Sequence, residues 1–161
     1  MARFSVSGMS EIISLRAITE ADLPTLYENQ RDPEATEMVG FPARELEAFL
    51  AHRAKTEANP TNVSRAIMVG EYLAGDIVSW AQDGERRIGY WIGKQYWGRG
   101  VATAALKAFV GELSDRPLYA DVLKTNTGSI RVLEKAGFRL LGEDELGPDP
   151  DPEEHTFRLD H

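Results

Sequence analysis

The hydrophobic positions along the chain recur with two periods, one typical of strands and one typical of helices. The clearest helical pattern covers 101–114, where apolar side chains follow a three-and-four spacing and form one continuous face. Those side chains are Ala102, Ala105, Leu106, Phe109, Val110 and Leu113. Short apolar and β-branched runs predict strands over 12–18, 64–72, 73–82, 87–93, 117–123, 138–142 and 155–159. Between two of these strands, Asp83-Gly84 predicts a tight hairpin.

Three further segments are predicted to be helices, and they cover 20–31, 44–57 and 127–136. Asp22 is the predicted N-cap of the first, because Pro24 is tolerated only in a first helical turn. Asp32-Pro33 is predicted to end that helix. The order is one strand, two helices, three strands, a helix, a strand, a helix and two strands. It predicts one mixed α/β domain over 12–160, preceded by a flexible N-terminal extension, 1–11.

Composition narrows the class of protein. Of the 161 residues, 42% are hydrophobic, which is enough for a buried core. The chain contains no run of 18 apolar residues, so no membrane span is predicted. The first ten residues lack the apolar stretch of a secretory signal. The chain has no cysteine and its three histidines are scattered, which predicts no disulfide, no thiol chemistry and no metal site. We therefore expect a cytoplasmic protein with no membrane segment.

The net charge of −8 is unevenly distributed. It disfavours nucleic acid as a partner, because nucleic-acid binding needs a basic footprint. Residues 97–140 carry a net charge of +3, whereas 141–154 hold seven acidic side chains and no basic one. One interpretation of this contrast is a solvated surface. The other is a site for an anion beside a site for a cation.

The segment 90–103 joins a predicted strand to the helix that starts near Val101 through a glycine-rich turn, 94–100. Glycines let a backbone approach a ligand, and the N–H groups at a helix start form a site for phosphate together with the helix dipole. The alternative is a plain strand-to-helix turn that needs glycine for its geometry alone. The turn is not a Walker A loop, and Thr103 stands where a Gly-x-Gly-x-x-Gly motif has its third glycine. Kinases and dinucleotide dehydrogenases are therefore disfavoured.

A second segment with candidate chemistry, 126–138, follows the predicted strand 117–123. Asn126 is a candidate cap of the next helix and a candidate ligand contact. Gly137 is the residue type expected just past the end of that helix. A capped helix with a glycine stop explains Gly137 but not the place of Ser129 beside the cap.

These segments resemble the signatures of the GNAT superfamily of N-acetyltransferases, in its Rim-type branch, whose members acetylate ribosomal proteins. The segment 97–102 is similar to Gln/Arg-x-x-Gly-x-Gly/Ala, with Trp97 in the first position. Asn126-x-x-Ser129 followed by Gly137-Phe138 resembles the second conserved block. The opening segment 15–22 resembles the first strand and helix start, so three motifs occur in the expected order.

The resemblance implies a single-domain GNAT fold, which is a mixed, mostly antiparallel sheet with a splayed strand pair and helices on both faces. It also implies acetyl-CoA as co-substrate. The pantetheine arm would follow the strand before the glycine turn, and the pyrophosphate would bind backbone N–H groups of the turn. The residues so assigned are Tyr90, Trp91, Ile92, Trp97, Gly98, Arg99, Gly100, Val101, Ala102, Thr103, Asn126 and Ser129.

The reaction that the resemblance implies is direct attack of a primary amine on the thioester. Many relatives use a tyrosine as acid where this chain has Leu133, so Ser129 is predicted to protonate the leaving thiolate. Asp121 is the predicted base, with a solvated strand residue as the alternative, and water alone suffices for an α-amine. Ile92 N–H is the expected donor to the oxyanion. Arg87 stands where Rim-type relatives often carry a glutamate.

The acceptor is not fixed by the sequence. A protein N-terminus and a small amine both remain, and the acidic segment 141–154 motivates the hypothesis of a cationic amine. Acyl-chain length is open, and we expect a monomer or a homodimer. Two rivals of the enzyme remain. One is a GNAT-fold protein that binds CoA without catalysis, as a sensor or interaction module, and the other is an unrelated phosphate-binding module.

Overall fold

The computed structural model describes residues 2–5, 12–40 and 42–161. The strands of these residues are β1 (Ala2–Ser5), β2 (Ile12–Arg16), β3 (Val63–Val69), β4 (Tyr72–Gln82), β5 (Glu85–Ile92), β6 (Leu118–Leu123), β7 (Arg139–Leu140) and β8 (Glu154–Leu159). They form one sheet in the order β1-β2-β3-β4-β5-β6-β8-β7. All neighbours are antiparallel except β5 and β6, which are parallel. The helices are α1 (Leu23–Arg31), α2 (Pro33–Val39), α3 (Leu46–Ala58), α4 (Val101–Glu112) and α5 (Thr127–Lys135).

One face of the sheet is covered by α4 and α5. Ile77 of β4 is fully buried in a core that also contains Phe109 of α4 and Leu133 of α5. Because side chains alternate along a strand, every second residue of β4, β5 and β6 points to this face. We call it the α4–α5 face.

The opposite face is covered by α1 and α3, and we call it the α1–α3 face. Asp76, which precedes Ile77, points there and pairs with Arg53 of α3 at 2.6 Å. Trp91 of β5 is the register partner of Asp76, and its indole N–H donates to Asn29 O of α1 at 3.1 Å. Removing one partner of a buried ion pair typically costs about 3–5 kcal/mol. The Arg53–Asp76 pair therefore fixes α3 against the sheet.

The parallel strands β5 and β6 separate after a short paired stretch. The register pairs Arg86 with Leu118 and Arg87 with Tyr119, and beyond Arg87 the described residues show no pairing between these strands. A wedge-shaped gap opens from that point toward Ile92. The prediction of a mixed, mostly antiparallel sheet with a splayed strand pair and helices on both faces is confirmed.

Both predicted ends of the first helix are confirmed in position, but the contacts made there differ from those predicted. Asp32-Pro33 ends α1 but also begins α2, because the Asp32 carboxylate accepts hydrogen bonds from Glu34 N–H at 2.9 Å and Ala35 N–H at 3.3 Å. Proline is favoured at a first helical position, where its missing N–H is not needed. Asp22 does not cap α1 with its side chain. Its carboxylate accepts two hydrogen bonds from Arg16 instead, at 2.7 and 2.8 Å.

The remaining differences from the predicted elements are small. The turn between β3 and β4 lies at Gly70, earlier than predicted, whereas the Asp83-Gly84 hairpin is confirmed, with φ of 52° and 79°. Of the predicted extension 1–11, Ala2–Ser5 pairs with β2. Residues 1 and 6–11 lie outside the described part of the chain, so flexibility of the extension stays a prediction. No helix of the described residues has the length and apolar character needed to cross a membrane.

Candidate active site

The edge of β5 that borders the gap carries unpaired backbone groups. Gly93 N–H donates to Ala74 O at 2.8 Å, so the odd-numbered residues of β5 direct their backbone groups at β4. The N–H and C=O groups of the even-numbered Tyr90 and Ile92 therefore point into the gap, where β6 does not pair with them. This edge can accept an extended ligand in the way that it would accept a further strand.

Of the three residues predicted to line the pantetheine arm, Tyr90 and Ile92 offer backbone groups to the gap. The backbone of Trp91 belongs to the β4–β5 ladder, and its indole lies on the α1–α3 face. Ile92 O accepts a hydrogen bond from the Trp97 indole N–H at 2.8 Å. The groups left for a ligand are thus the N–H of Ile92 and both backbone groups of Tyr90.

The glycine turn leads into the N-terminus of α4. Gly98 and Gly100 have φ of 73° and 76°, a left-handed conformation that favours glycine. The first helical hydrogen bond runs from Ala104 N–H to Gly100 O at 3.1 Å. The three N–H groups before it have no helical acceptor, and they belong to Val101, Ala102 and Thr103. Together with the helix dipole they form a site for an anion.

Trp97 stabilises the turn and has no N–H group left for a ligand. Its N–H donates to Lys94 O at 3.1 Å, and its indole N–H donates to Ile92 O. The N–H groups that the turn presents therefore begin after Trp97, which corrects the predicted donor range 97–103.

The signature spacing also fits two residues earlier than the sequence analysis placed it. In that register Gln95 takes the first position, and the glycine positions fall on Gly98 and Gly100, the two left-handed residues. Arg99 lies between them, with its guanidinium 5.3 Å from the centre of the Tyr96 ring. The turn thus places a cation beside the helix start.

The helix α2, which the sequence analysis missed, crosses the wide end of the gap. At its N-terminal end, Glu34 pairs with Lys94 at 2.5 Å, and this ion pair raises the pKa of Lys94. At its C-terminal end, Met38 O accepts a hydrogen bond from Asn126 Nδ2 at 3.3 Å. Because Lys94 follows β5 and Asn126 follows β6, α2 is fastened to both sides of the gap.

The segment after β6 brings a hydroxyl pair together. Asn126 Oδ1 accepts from Ser129 N–H at 3.2 Å, which confirms Asn126 as the cap of α5. Gly137, with φ of 95°, follows the end of this helix as predicted. Ser129 Oγ lies 2.6 Å from the hydroxyl of Tyr90. Burial raises the pKa of Tyr90 to about 12, although the hydrogen bond with Ser129 opposes that shift.

Asp121, the predicted base, lies on the other face of the sheet from Ser129. Its neighbours Ala120 and Val122 are in the core, so its own side chain points to the α1–α3 face. Its carboxylate accepts from Arg87 at 2.6 Å and from the Thr156 hydroxyl at 2.7 Å. The structure therefore does not bring the two predicted catalytic residues into contact.

The acidic segment divides between two places. Glu154 is partly buried, and the pKa of its carboxyl is raised by that burial and by the charges of Asp121 and Asp151. Glu145 instead pairs with Arg139 at 2.9 Å, which lowers the pKa of Glu145 to about 2. The end of the acidic segment at Glu154 thus lies beside Asp121, whereas Glu145 is engaged by Arg139.

Comparison with known proteins identifies the family. The model of the acetyltransferase (GNAT) domain matches residues 13–139. The chain belongs to this family. A curated relative, the probable N-acetyltransferase YjcK of Bacillus subtilis, is 42% identical over 59 residues, which are 34% of this chain and 33% of the relative. The chain thus matches about a third of the length of that relative.

Solved structures agree with a GNAT fold. An acetyltransferase from Agrobacterium tumefaciens is 24% identical, with a TM-score of 0.79 and coverage of 100% of this chain and 95% of that one. The spermidine N-acetyltransferase from Vibrio cholerae, in complex with CoA and spermine, is 15% identical, with a TM-score of 0.73 and coverage of 91% and 92%. The family match supports the predicted N-acetyltransferase class and acetyl-CoA as co-substrate.

We expect replacement of Gly98 to weaken the binding of CoA at the glycine turn. A Cβ at Gly98 meets no atom of the protein within 4 Å, so the added bulk would enter space open to a ligand. We expect Gly98→Val to raise the Kd for CoA at least tenfold, or about 1.4 kcal/mol, in titration calorimetry.

The matched control for that variant is Gly84→Val at the β4–β5 hairpin. Gly84 has φ of 79° and open space around it, but it lies at the far end of β5. The control variant therefore introduces the same backbone strain at a place far from the proposed phosphate site. Equal Kd values for CoA in the two variants would contradict the assignment of the phosphate to this turn.

Proposed function

We propose that the protein transfers the acetyl group of acetyl-CoA to a primary amine, which is a protein N-terminus or a small amine. The observation that carries this proposal is the unpaired edge of β5, which leads from the anion site at α4 into the gap. Coenzyme A has a pyrophosphate joined to an arm with two amides. An anion site that continues into an open strand edge fits both parts in that order.

In the proposed complex, the pyrophosphate binds the N–H groups at the start of α4, with Arg99 close by. The amides of the pantetheine arm pair with the backbone of Tyr90 and Ile92. Both amide atoms of Asn126 already have partners within the protein, so Asn126 acts by holding α5 and α2 in place. The thioester then lies in the gap, between the two faces of the sheet.

The two faces take separate parts in the proposed reaction. Ser129 on the α4–α5 side protonates the leaving sulfur, and the amine approaches from the α1–α3 side. The amine must be neutral to attack, which is easier for an α-amine with pKa near 7.7–8.0 than for a lysine with pKa near 10.4. The Ile92 N–H, which the family resemblance suggests as the donor to the oxyanion, pairs with the pantetheine arm in this arrangement and is therefore not assigned to the oxyanion as well.

Asp121 is the proposed base, acting on the amine through water. Its position on the α1–α3 face supports this role, because the amine arrives there. Its ion pair with Arg87 opposes this role, because protonation of Asp121 would break the ion pair. An α-amine acceptor needs little help from a base, so these contacts fit a protein N-terminus or another weakly basic amine, as the Rim-type resemblance also suggests.

The proposal is tested by incubating the protein with acetyl-CoA and a panel of amines, with free thiol and product mass as readouts. The panel contains N-terminal peptides, amino acids, polyamines and aminoglycosides. We expect thiol release that depends on one class of amine and a product heavier by one acetyl group. Tight CoA binding without product for any amine would favour the non-catalytic sensor. Failure to bind CoA would overturn the proposal.

The acceptor is proposed to be cationic, because Asp151 and Glu154 add negative charge beside Asp121 on the approach face. A cleft of one sign attracts the opposite charge, and salt screens that attraction over about 8 Å at physiological ionic strength. We expect Asp151→Asn/Glu154→Gln to lower kcat/KM for the best amine about threefold or more and to flatten its salt dependence.

The matched control for the acidic pair is Glu143→Gln/Asp144→Asn. It removes the same number of charges from the same acidic segment, but on the short turn near Glu145. We expect steady-state kinetics of this control to equal those of the wild type. A cationic acceptor is contradicted if both double variants behave alike.

A further inference from the structure

We propose that Tyr90 is a positioning residue for proton donation: its hydroxyl donates to Ser129 Oγ and directs the Ser129 proton at the leaving sulfur. This inference rests on the proposed acetyl transfer. It assigns to the Tyr90 side chain a role separate from the backbone contacts that its strand makes with CoA.

The hydroxyl pair spans the gap. Tyr90 comes from β5 and Ser129 from the helix that follows β6, so their 2.6 Å contact joins the two sides where the strands have already separated. The thioester must enter this gap to reach the amine. The pair therefore lies where the carbon–sulfur bond would break.

Leu133 cannot take over the donation of a proton to the leaving sulfur. Leu133 is 2% exposed and packs in the core with Phe109 and Phe138. A leucine cannot donate a proton. The helix α5 therefore offers Ser129 as the donor, and β5 adds the Tyr90 hydroxyl beside it.

The direction of the hydrogen bond follows from the acidities of the two groups. A phenol is a stronger acid than an aliphatic alcohol, so Tyr90 donates and Ser129 accepts. Burial raises the pKa of Tyr90 to about 12, and the phenol stays protonated throughout the working pH range. With one lone pair of Ser129 Oγ occupied, its own O–H is free to point at a second acceptor.

The proton balance of the step is complete. The amine nitrogen forms its bond to the acetyl carbon, the carbon–sulfur bond breaks, and the sulfur takes the proton of Ser129 Oγ. The oxygen of Ser129 is stabilised by the Tyr90 hydrogen bond while it carries partial negative charge. The proton released by the amine passes to water and is returned to the hydroxyl pair, so the protein is unchanged after each turnover.

The test compares Tyr90→Phe, Ser129→Ala and the double variant. The phenylalanine keeps the ring and the backbone of β5 and removes only the hydroxyl. We expect Tyr90→Phe to lower kcat about tenfold with KM for acetyl-CoA and Kd for CoA unchanged. Ser129→Ala should lower kcat further, and the double variant should be no slower than Ser129→Ala, because the two hydroxyls act as one unit.

Tyr27→Phe on α1 is the control for removal of a tyrosine hydroxyl elsewhere, and it should leave kcat unchanged. The ratio of wild-type to Tyr90→Phe kcat should be constant between pH 7 and about 9, since the pKa of Tyr90 lies near 12. An unchanged kcat in Tyr90→Phe, or multiplicative losses in the double variant, would overturn the inference. A wild type without acetyl transfer would overturn the proposed function and this inference with it.

Discussion

The separation of β5 from β6 beyond Arg87 is the constraint on which the site depends. Backbone groups inside a sheet are normally paired, and an unpaired edge invites another strand. Here the edge is open within the sheet and not at its border, so only a chain narrow enough to enter the gap can pair with it. The glycine turn at the end of β5 then adds an anion site in line with that edge.

The two faces of the sheet give this gap its direction. On the α4–α5 face, Tyr90 and Ser129 supply hydroxyls beside the core. On the α1–α3 face, Asp121 and Arg87 supply a partly exposed ion pair. A ligand held between the faces meets a proton donor on one side and a charged entrance on the other. The helix α2 joins both sides of the gap and thereby limits how wide its entrance becomes.

The sequence predicts well those features that neighbouring residues form, and it predicts poorly those that residues far apart in the chain form. Local sequence patterns predict α4, the hairpin at Asp83-Gly84 and the end of α5 at Gly137, because each depends on neighbouring residues. The splay has no local pattern and was predicted only through the family resemblance. The segment Asp32-Pro33 was interpreted as a helix end, although the same dipeptide caps and starts α2.

The chemistry of the site shows the same limit. The Tyr90–Ser129 contact joins residues 39 positions apart, and the Arg87–Asp121 pair joins residues 34 apart. The family resemblance identified Ser129 by its place in the Asn126-x-x-Ser129 motif and Asp121 by its place on the strand before Asn126. It could not assign them to opposite faces, because that depends on the alternation along β6 and on the position of α5.

The most direct test of the account is residue-resolved amide hydrogen exchange, measured by NMR with and without saturating CoA. The account predicts that the Tyr90 and Ile92 amides, which point into the gap, become strongly protected when CoA binds. The Gly89 and Trp91 amides already pair with β4 and should change little. Bound CoA with no added protection at Tyr90 and Ile92, or with equal protection at all four amides, would contradict the claim that the β5 edge holds the pantetheine arm.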